Sequence, residues 1–268
     1  MGFWDSKAVI VTGASKGIGL AIARSFASRG ASVLMVARGS VDLESAAETL
    51  REEGGKVATL SVDVTLDTAP SSVIDRCIEE FGQIDCLVNN AGRSMRAAVM
   101  DTTEADFREL MELNFFALMR FSQAAMPHLL SRKGHLVNVS SLAGKTAARY
   151  MGAYPASKFA VTGYSQQLRL ELGPEGLHVM TVCPGPVDTG LMDGALTGHN
   201  IDDLPDRVKK PGAGARTRVV PAAEVAEAIV TGCERRQKEL LFPWWGRFVL
   251  SLQQLSPNLS DFLVRTFS

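Results

Sequence analysis

The sequence predicts an α/β protein built on a doubly wound parallel sheet of about seven strands, with helices on both faces. Short apolar runs alternate with helical patterns from the first residues to residue 242. The runs are almost unbroken in their apolarity, which suits strands covered on both faces. A glycine-rich turn joins the first run to the first helical pattern.

The expected strands are KAVIVT (7–12), SVLMVA (32–37), KVATLSV (56–62), IDCLVNN (84–90), GHLVNVS (134–140), LHVMTVC (177–183) and KELLF (238–242). Between them, Val73, Ile74, Cys77, Ile78 and Phe81 recur at helical spacing. Over 104–131 a long helix is expected, with Phe107, Leu110, Met111, Asn114 and Phe115 on one face. Residues 1–242 read as one domain, since 268 residues suffice for a self-contained core and no linker divides them. The polar, Gly- and Asp-rich stretch 188–219 is too long for a plain connector and is expected to be a substrate lid. Residues 243–268 form an apolar C-terminal extension, with Pro257 expected to break its helix. That extension suits packing on the core or on a second subunit. An interfacial membrane anchor is the alternative, weakened by the few cations on its polar face.

Composition narrows the function classes. Hydrophobic residues make up 46% and charged residues 21%, as in an ordinary globular protein, and the net charge of −1 comes without a basic run. Nucleic acid is therefore not an expected partner. The four cysteines show no CxxC spacing and the four histidines no HExxH, so no metal is expected and the cysteines read as reduced, in a cytoplasmic protein. MGFWDS fits the N-myristoylation pattern only formally, and an ordinary N-terminus is the expectation.

In TGASKGIG, Gly13, Gly17 and Gly19 permit a tight turn and close approach of a ligand, while the following helix offers free N–H groups to a phosphate. Ser15, Lys16 and Ile18 complete this turn. The same letters spell GxSxG, but a nucleophile elbow follows several strands and this one follows the first, so a hydrolase is set aside. The second strand ends in Arg38 where an NAD-binding fold has an acid. Arg38 and Lys16 together point to the 2′-phosphate of NADP(H).

YPASK places Tyr154 and Lys158 one helical turn apart. Pro155 is cheap only in a first turn, so the helix is expected to begin at the tyrosine. A cation ~4 Å away favours a phenolate by about 4 kcal/mol at an effective dielectric near 20, so Tyr154 is expected to titrate below its ordinary value. An acid so placed can protonate the oxygen of a carbonyl that receives hydride.

In order, TGASKGIG (12–19), NNAG (89–92), Asn114 in ELNFFAL, VNVSS (137–141), YPASK (154–158) and PGPVDT (184–189) resemble the short-chain dehydrogenase/reductase family, in its NADP-preferring form. The likeness runs from residue 7 to about 190. It implies a Rossmann fold and a catalytic tetrad of Asn114, Ser141, Tyr154 and Lys158. The family's serine lies thirteen residues before the tyrosine, which selects Ser141 over Ser140. The likeness also implies that Lys158 grips the nicotinamide ribose and that Asn114 holds a water. Asp63 and the Val64 backbone would meet the adenine, and Asn90, Ala91 and Gly92 would line the cofactor. Pro184, Gly185, Val187 and Thr189 would close over the nicotinamide. The expected function is NADPH-dependent reduction of a ketone or aldehyde, with NADP-linked alcohol oxidation or a non-catalytic nucleotide sensor as alternatives. The substrate would be a small carbonyl or alcohol compound, lipid-like if Leu191, Met192, Leu196 and Trp244 line its site. A homo-oligomer, dimer or tetramer, is expected.

Overall fold

The computed structural model describes residues 2–190, 198–209, 218–253 and 255–267. Seven strands form one parallel sheet: β1 (Ala8–Thr12), β2 (Ser32–Ala37), β3 (Lys56–Ser61), β4 (Cys86–Asn89), β5 (His135–Val139), β6 (His178–Cys183) and, last in the chain, β9 (Glu239–Leu241). Their order is β3-β2-β1-β4-β5-β6-β9. Each lies inside its expected run; β2 matches it end to end and the other six are shorter by one to three residues. Strand order reverses between β1 and β4, and this opens a crevice at the carboxyl ends of the two strands.

Two apolar layers sandwich the sheet. On one face α1 (Gly17–Ser28), α2 (Ser40–Glu52) and α8 (Ala222–Glu234) bury Ile22, Phe26, Leu43, Ile229 and Val230 against Val9, Val11 and Val137. On the other, α3 (Ala69–Phe81), α5 (Ala117–Ser131) and α6 (Tyr154–Leu172) bury Val73, Phe121, Leu129 and Leu168 against Ile10, Leu87 and Val179. Arg29, at the C-cap of α1, bridges Glu227 and Glu234 on α8 at 2.6 and 2.7 Å, which ties the end of the first helix to α8.

The long helix expected over 104–131 is three pieces. α4 (Glu104–Met111) gives way to a π-turn at Glu112–Phe116 before α5 begins. The extra residue in that turn shifts the helical face, so Asn114 points inward while Phe107 stays 38% exposed. A capping box of Thr103 and Asp106 starts α4.

A two-stranded ladder of β7 (Val187–Asp188) and β8 (Val220–Pro221) brackets the expected lid, and the short helix α7 (Asp206–Lys209) lies between them in the chain. Leu204 and Val208 pack on Ala143, Met151 and Tyr154. Leu191, Met192 and Leu196 lie outside the described residues. The extension folds as α9 (Gly246–Gln253) and α10 (Pro257–Phe267), so Pro257 opens a helix after the break it was expected to cause. No helix among the described residues is long and apolar enough to cross a membrane.

Candidate active site

The carboxyl ends of β1, β2, β4, β5 and β6 open into one cavity of about 1300 Å³. That exceeds the roughly 300–1,000 Å³ of a single small-ligand pocket and suits an extended cofactor with a substrate beside it.

At one end lies the glycine turn. Gly13 holds φ +66°, and a Cβ on Gly19 would stand 2.1 Å from the Gly13 carbonyl oxygen, so only glycine fits there. Asn90 fixes the turn from β4: its Nδ2 donates to the Thr12 and Gly13 carbonyls at 2.9 and 3.2 Å. Thr12 Oγ1 accepts from the Asn90 and Ala91 N–H groups, both at 3.0 Å. No side chain caps the first turn of α1 at Lys16, which leaves the helix N-terminus facing the cavity. Ser15, Lys16, Gly17, Ile18, Ala91 and Gly92 line the same wall.

Arg38 lies beside it, its side chain 84% exposed and 3.8 Å from Asp63. Asp63 accepts from the backbone N–H and hydroxyl of Thr65 at 3.0 and 2.7 Å, and these bonds hold its carboxyl below the usual range. Arg38, Asp63 and Val64 all line the cavity. The cradle has the bare backbone, the helix N-terminus and the cations that a dinucleotide's phosphates need, so the residues present fit the expected group.

At the other end α6 begins at Tyr154, with Pro155 in the first turn and the helix set by the sequence as expected. Ser141 Oγ accepts from the Ala143 N–H at 3.1 Å and is hydrogen-bonded to the Tyr154 hydroxyl. Ser140 points elsewhere: its hydroxyl donates to the Lys158 carbonyl at 3.0 Å and meets Thr162. Strand alternation thus leaves Ser141 to face Tyr154.

Lys158 is 4% exposed, and its Nζ donates to the Val139 carbonyl at 2.9 Å. Burial drops its pKa to about 8. Its ammonium lies 5.9 Å from the Tyr154 ring centre. This corrects the expectation that the lysine would depress the tyrosine. In the free protein burial pushes the Tyr154 phenol up, and the Ser141 hydrogen bond and the charge of Arg96 only partly offset it.

Asn114 stands behind the cavity rather than in its wall. Its Oδ1 accepts from the Arg93 N–H, and its Nδ2 donates to the Arg93 carbonyl and to Ser157, all at 2.9 to 3.0 Å. The amide clamps the loop after β4, and a Cβ on Gly92 would stand 2.8 Å from its oxygen. Pro184, Gly185, Val187 and Thr189 line the cavity below Ser141.

Sequence reasoning missed two contributors. Arg96 is 4% exposed, donates to the Val208 and Met95 carbonyls at 3.1 and 2.9 Å, and lines the cavity near Tyr154. Its only signal was a cation in an apolar stretch. The tail lines the cavity through Trp245, Val249, Leu250 and Gln253. Trp244, singled out from sequence, is instead 68% exposed and outside that wall.

Known proteins are similar to this chain in sequence and fold. A family model described as short chain dehydrogenase matches residues 7–199. The oxidoreductase YxnA of Bacillus subtilis is 32% identical over 96% of this chain and 70% of its own. 11-beta-hydroxysteroid dehydrogenase 1A of Arabidopsis thaliana is 32% identical over 95% of this chain and 73% of its own. Among solved structures, a short chain dehydrogenase/reductase of Burkholderia phymatum in complex with NAD superposes with a TM-score of 0.83 at 26% identity, over 97% of both chains. L-sorbose reductase of Gluconobacter frateurii, complexed with NADPH and L-sorbose, gives 0.76 at 26% identity over 88% of this chain and 95% of its own. The chain belongs to the short-chain dehydrogenase family, is an oxidoreductase acting on hydroxyl or carbonyl groups, and uses a nicotinamide cofactor.

Proposed function

We propose that this member of the family is an NADPH-dependent carbonyl reductase in which Tyr154 is the general acid. The observation that carries the reading is the paired hydroxyls of Ser141 and Tyr154, aimed into a cavity whose far end is a phosphate cradle. The nicotinamide, when bound, supplies the hydride. Ser141 holds the substrate carbonyl oxygen by donating a hydrogen bond, and Tyr154 gives that oxygen its proton as negative charge develops there. A phenol held above its usual pKa keeps its proton near neutral pH, which favours reduction over oxidation.

Lys158, with a pKa of about 8, exchanges protons readily at working pH and recharges the tyrosine. It also offers its ammonium to the ribose hydroxyls. Asn114 acts as a positioning residue, fixing the Gly92–Arg93 backbone against Lys158. Arg38 and Lys16 take the 2′-phosphate, the Arg38 side chain being free to swing from its long contact with Asp63. The apolar wall of Trp245, Val249 and Leu250 suits an aliphatic, lipid-like ketone or aldehyde. A cytoplasmic homo-oligomer is the assembly proposed, with the exposed face of the extension as its contact.

A panel of aliphatic ketones and aldehydes with NADPH and NADH, followed at the nicotinamide absorbance, tests this reading. Turnover of at least one carbonyl with NADPH is expected, and Tyr154→Phe should lower kcat about 10³-fold with the fold unchanged. Full activity in that variant would remove the tyrosine from the acid role.

A further inference from the structure

At the opposite end of the sheet, far from the cavity, the strand register gathers side chains that lie tens of residues apart in the chain. Cys86 on β4 pairs with His135 on β5, and His135 with His178 on β6. In-register partners on adjacent parallel strands project from the same face. Cys233 of α8 packs onto that face. Donor atoms of His135, His178 and Cys233 all lie within 4.8 Å of one another, and all three side chains are buried. The Nδ1 atoms of the two histidines face each other at 2.9 Å. His178 Nε2 sits 2.8 Å from the Gln237 carbonyl, which can only accept, so this ring carries its proton on Nε2. In the neutral ring Nδ1 is then a bare lone pair turned toward the cluster.

We propose that His135, His178 and Cys233, with Cys86 as the fourth donor, form a binding site for a zinc-class divalent cation. Two imidazoles and two thiolates are the donor set such an ion takes in structural sites. Two thiolates neutralise the 2+ charge, which a buried site requires. The Gln237 carbonyl serves the ligating His178 as the outer hydrogen-bond acceptor that orients metal-bound histidines. Cys86 shares the buried cluster with Cys233 but stands outside the three-donor group, so its side chain must turn to complete the four. Binding releases one proton from each thiol that is protonated beforehand and forms two metal–sulfur and two metal–nitrogen bonds, with no redox change.

The site joins β4, β5, β6 and α8 at the end of the sheet opposite the cavity. Trp4 and Phe3 roof it, with ring centres 5.4 and 5.9 Å from that of His135. Its effect is therefore on stability, with catalysis untouched. The other two cysteines, Cys77 and Cys183, are pushed up to about 12 by burial and remain thiols.

The test uses the full chain, stripped with a chelator and then given ZnCl2 or CoCl2. One zinc per chain should survive desalting and raise Tm by ~3 °C or more. Cobalt should give a thiolate charge-transfer band. Cys233→Ser and His178→Gln should lose the retained zinc, the Tm shift and the band, while wild-type and variant proteins keep the same cofactor affinity and kcat. Should Cys233→Ser fail to fold, Cys86→Ser and the wild-type cobalt spectrum decide. Zinc bound equally by the Cys233→Ser variant, as at the exposed His199–Asp106 pair, would overturn the proposal. So would wild-type protein that retains no stoichiometric zinc and shows no thiolate band.

Discussion

The two ends of the same sheet bury polar side chains in opposite ways. At the carboxyl end Ser141, Tyr154, Lys158 and Arg96 surround an open cavity, and their charges meet no carboxylate among the described residues. At the amino end Asp85 has its charge and hydrogen bonds matched within the protein. The Asp85 carboxylate accepts from the Ala8 N–H at 2.8 Å, from Gln83 at 2.7 Å and from Arg132 at 3.1 Å, and is 3% exposed. The lesson is that burial alone does not mark a functional group. What marks it is hydrogen-bonding and charge capacity left over for something outside the chain.

Substitutions at each end sharpen that contrast. Lys158→Met should cut kcat roughly 10²–10³-fold, because the proton supply and the ribose contact go together. The same change should stabilise the cofactor-free protein at pH 7, on the order of 2 kcal/mol in urea unfolding, by removing a buried charge. The sign follows from the shift. Between about 8 and the unfolded value near 10.4 the unfolded chain binds more protons, so the wild type regains stability as pH climbs through that window. The gap between the two proteins should narrow accordingly, and a gap unchanged between pH 7 and 10 would break the argument.

At the matched end the order reverses. Asp85→Ala should leave kcat within about twofold yet cost about 3 kcal/mol in urea unfolding, since the buried Ala8 N–H loses its acceptor. A loss below ~1 kcal/mol would mean that water serves equally well there. The smallest effect is expected at the exposed rim of the cavity. Arg38→Asp should shift the ratio of kcat/KM for NADPH over NADH by roughly 10–100-fold toward NADH, the worth of charge-assisted bonds to one phosphate. An unchanged ratio would leave Lys16, or no residue named here, in that role.

The expected strand segments, the helix start at Tyr154 and the glycine turn were legible in the sequence because each is a local matter. Apolar continuity selects a buried strand, Pro155 selects a first turn, and Gly13 and Gly19 sit where a Cβ has no room. Ser141 was separable from Ser140 by motif spacing, and their hydrogen bonds divide in the same way. Other features were settled by distant parts of the chain. A uniform 3.6-residue period could not show the π-turn that turns Asn114 inward, because one extra residue in a helix leaves the composition unchanged. Tyr154's upward shift depends on how tightly Leu204, Val208 and Met151 bury it, and Arg96 matters because the fold removes it from water without giving it an acid. Trp245 rather than Trp244 reaches the cavity because the direction of each depends on how the chain turns between β9 and α9. Cys86, His135, His178 and Cys233 show the division most plainly. Sequence spacing scatters them, whereas parallel register aligns three on one face and helix packing adds the fourth, because neighbours in a sheet are set by strand order and not by distance along the chain.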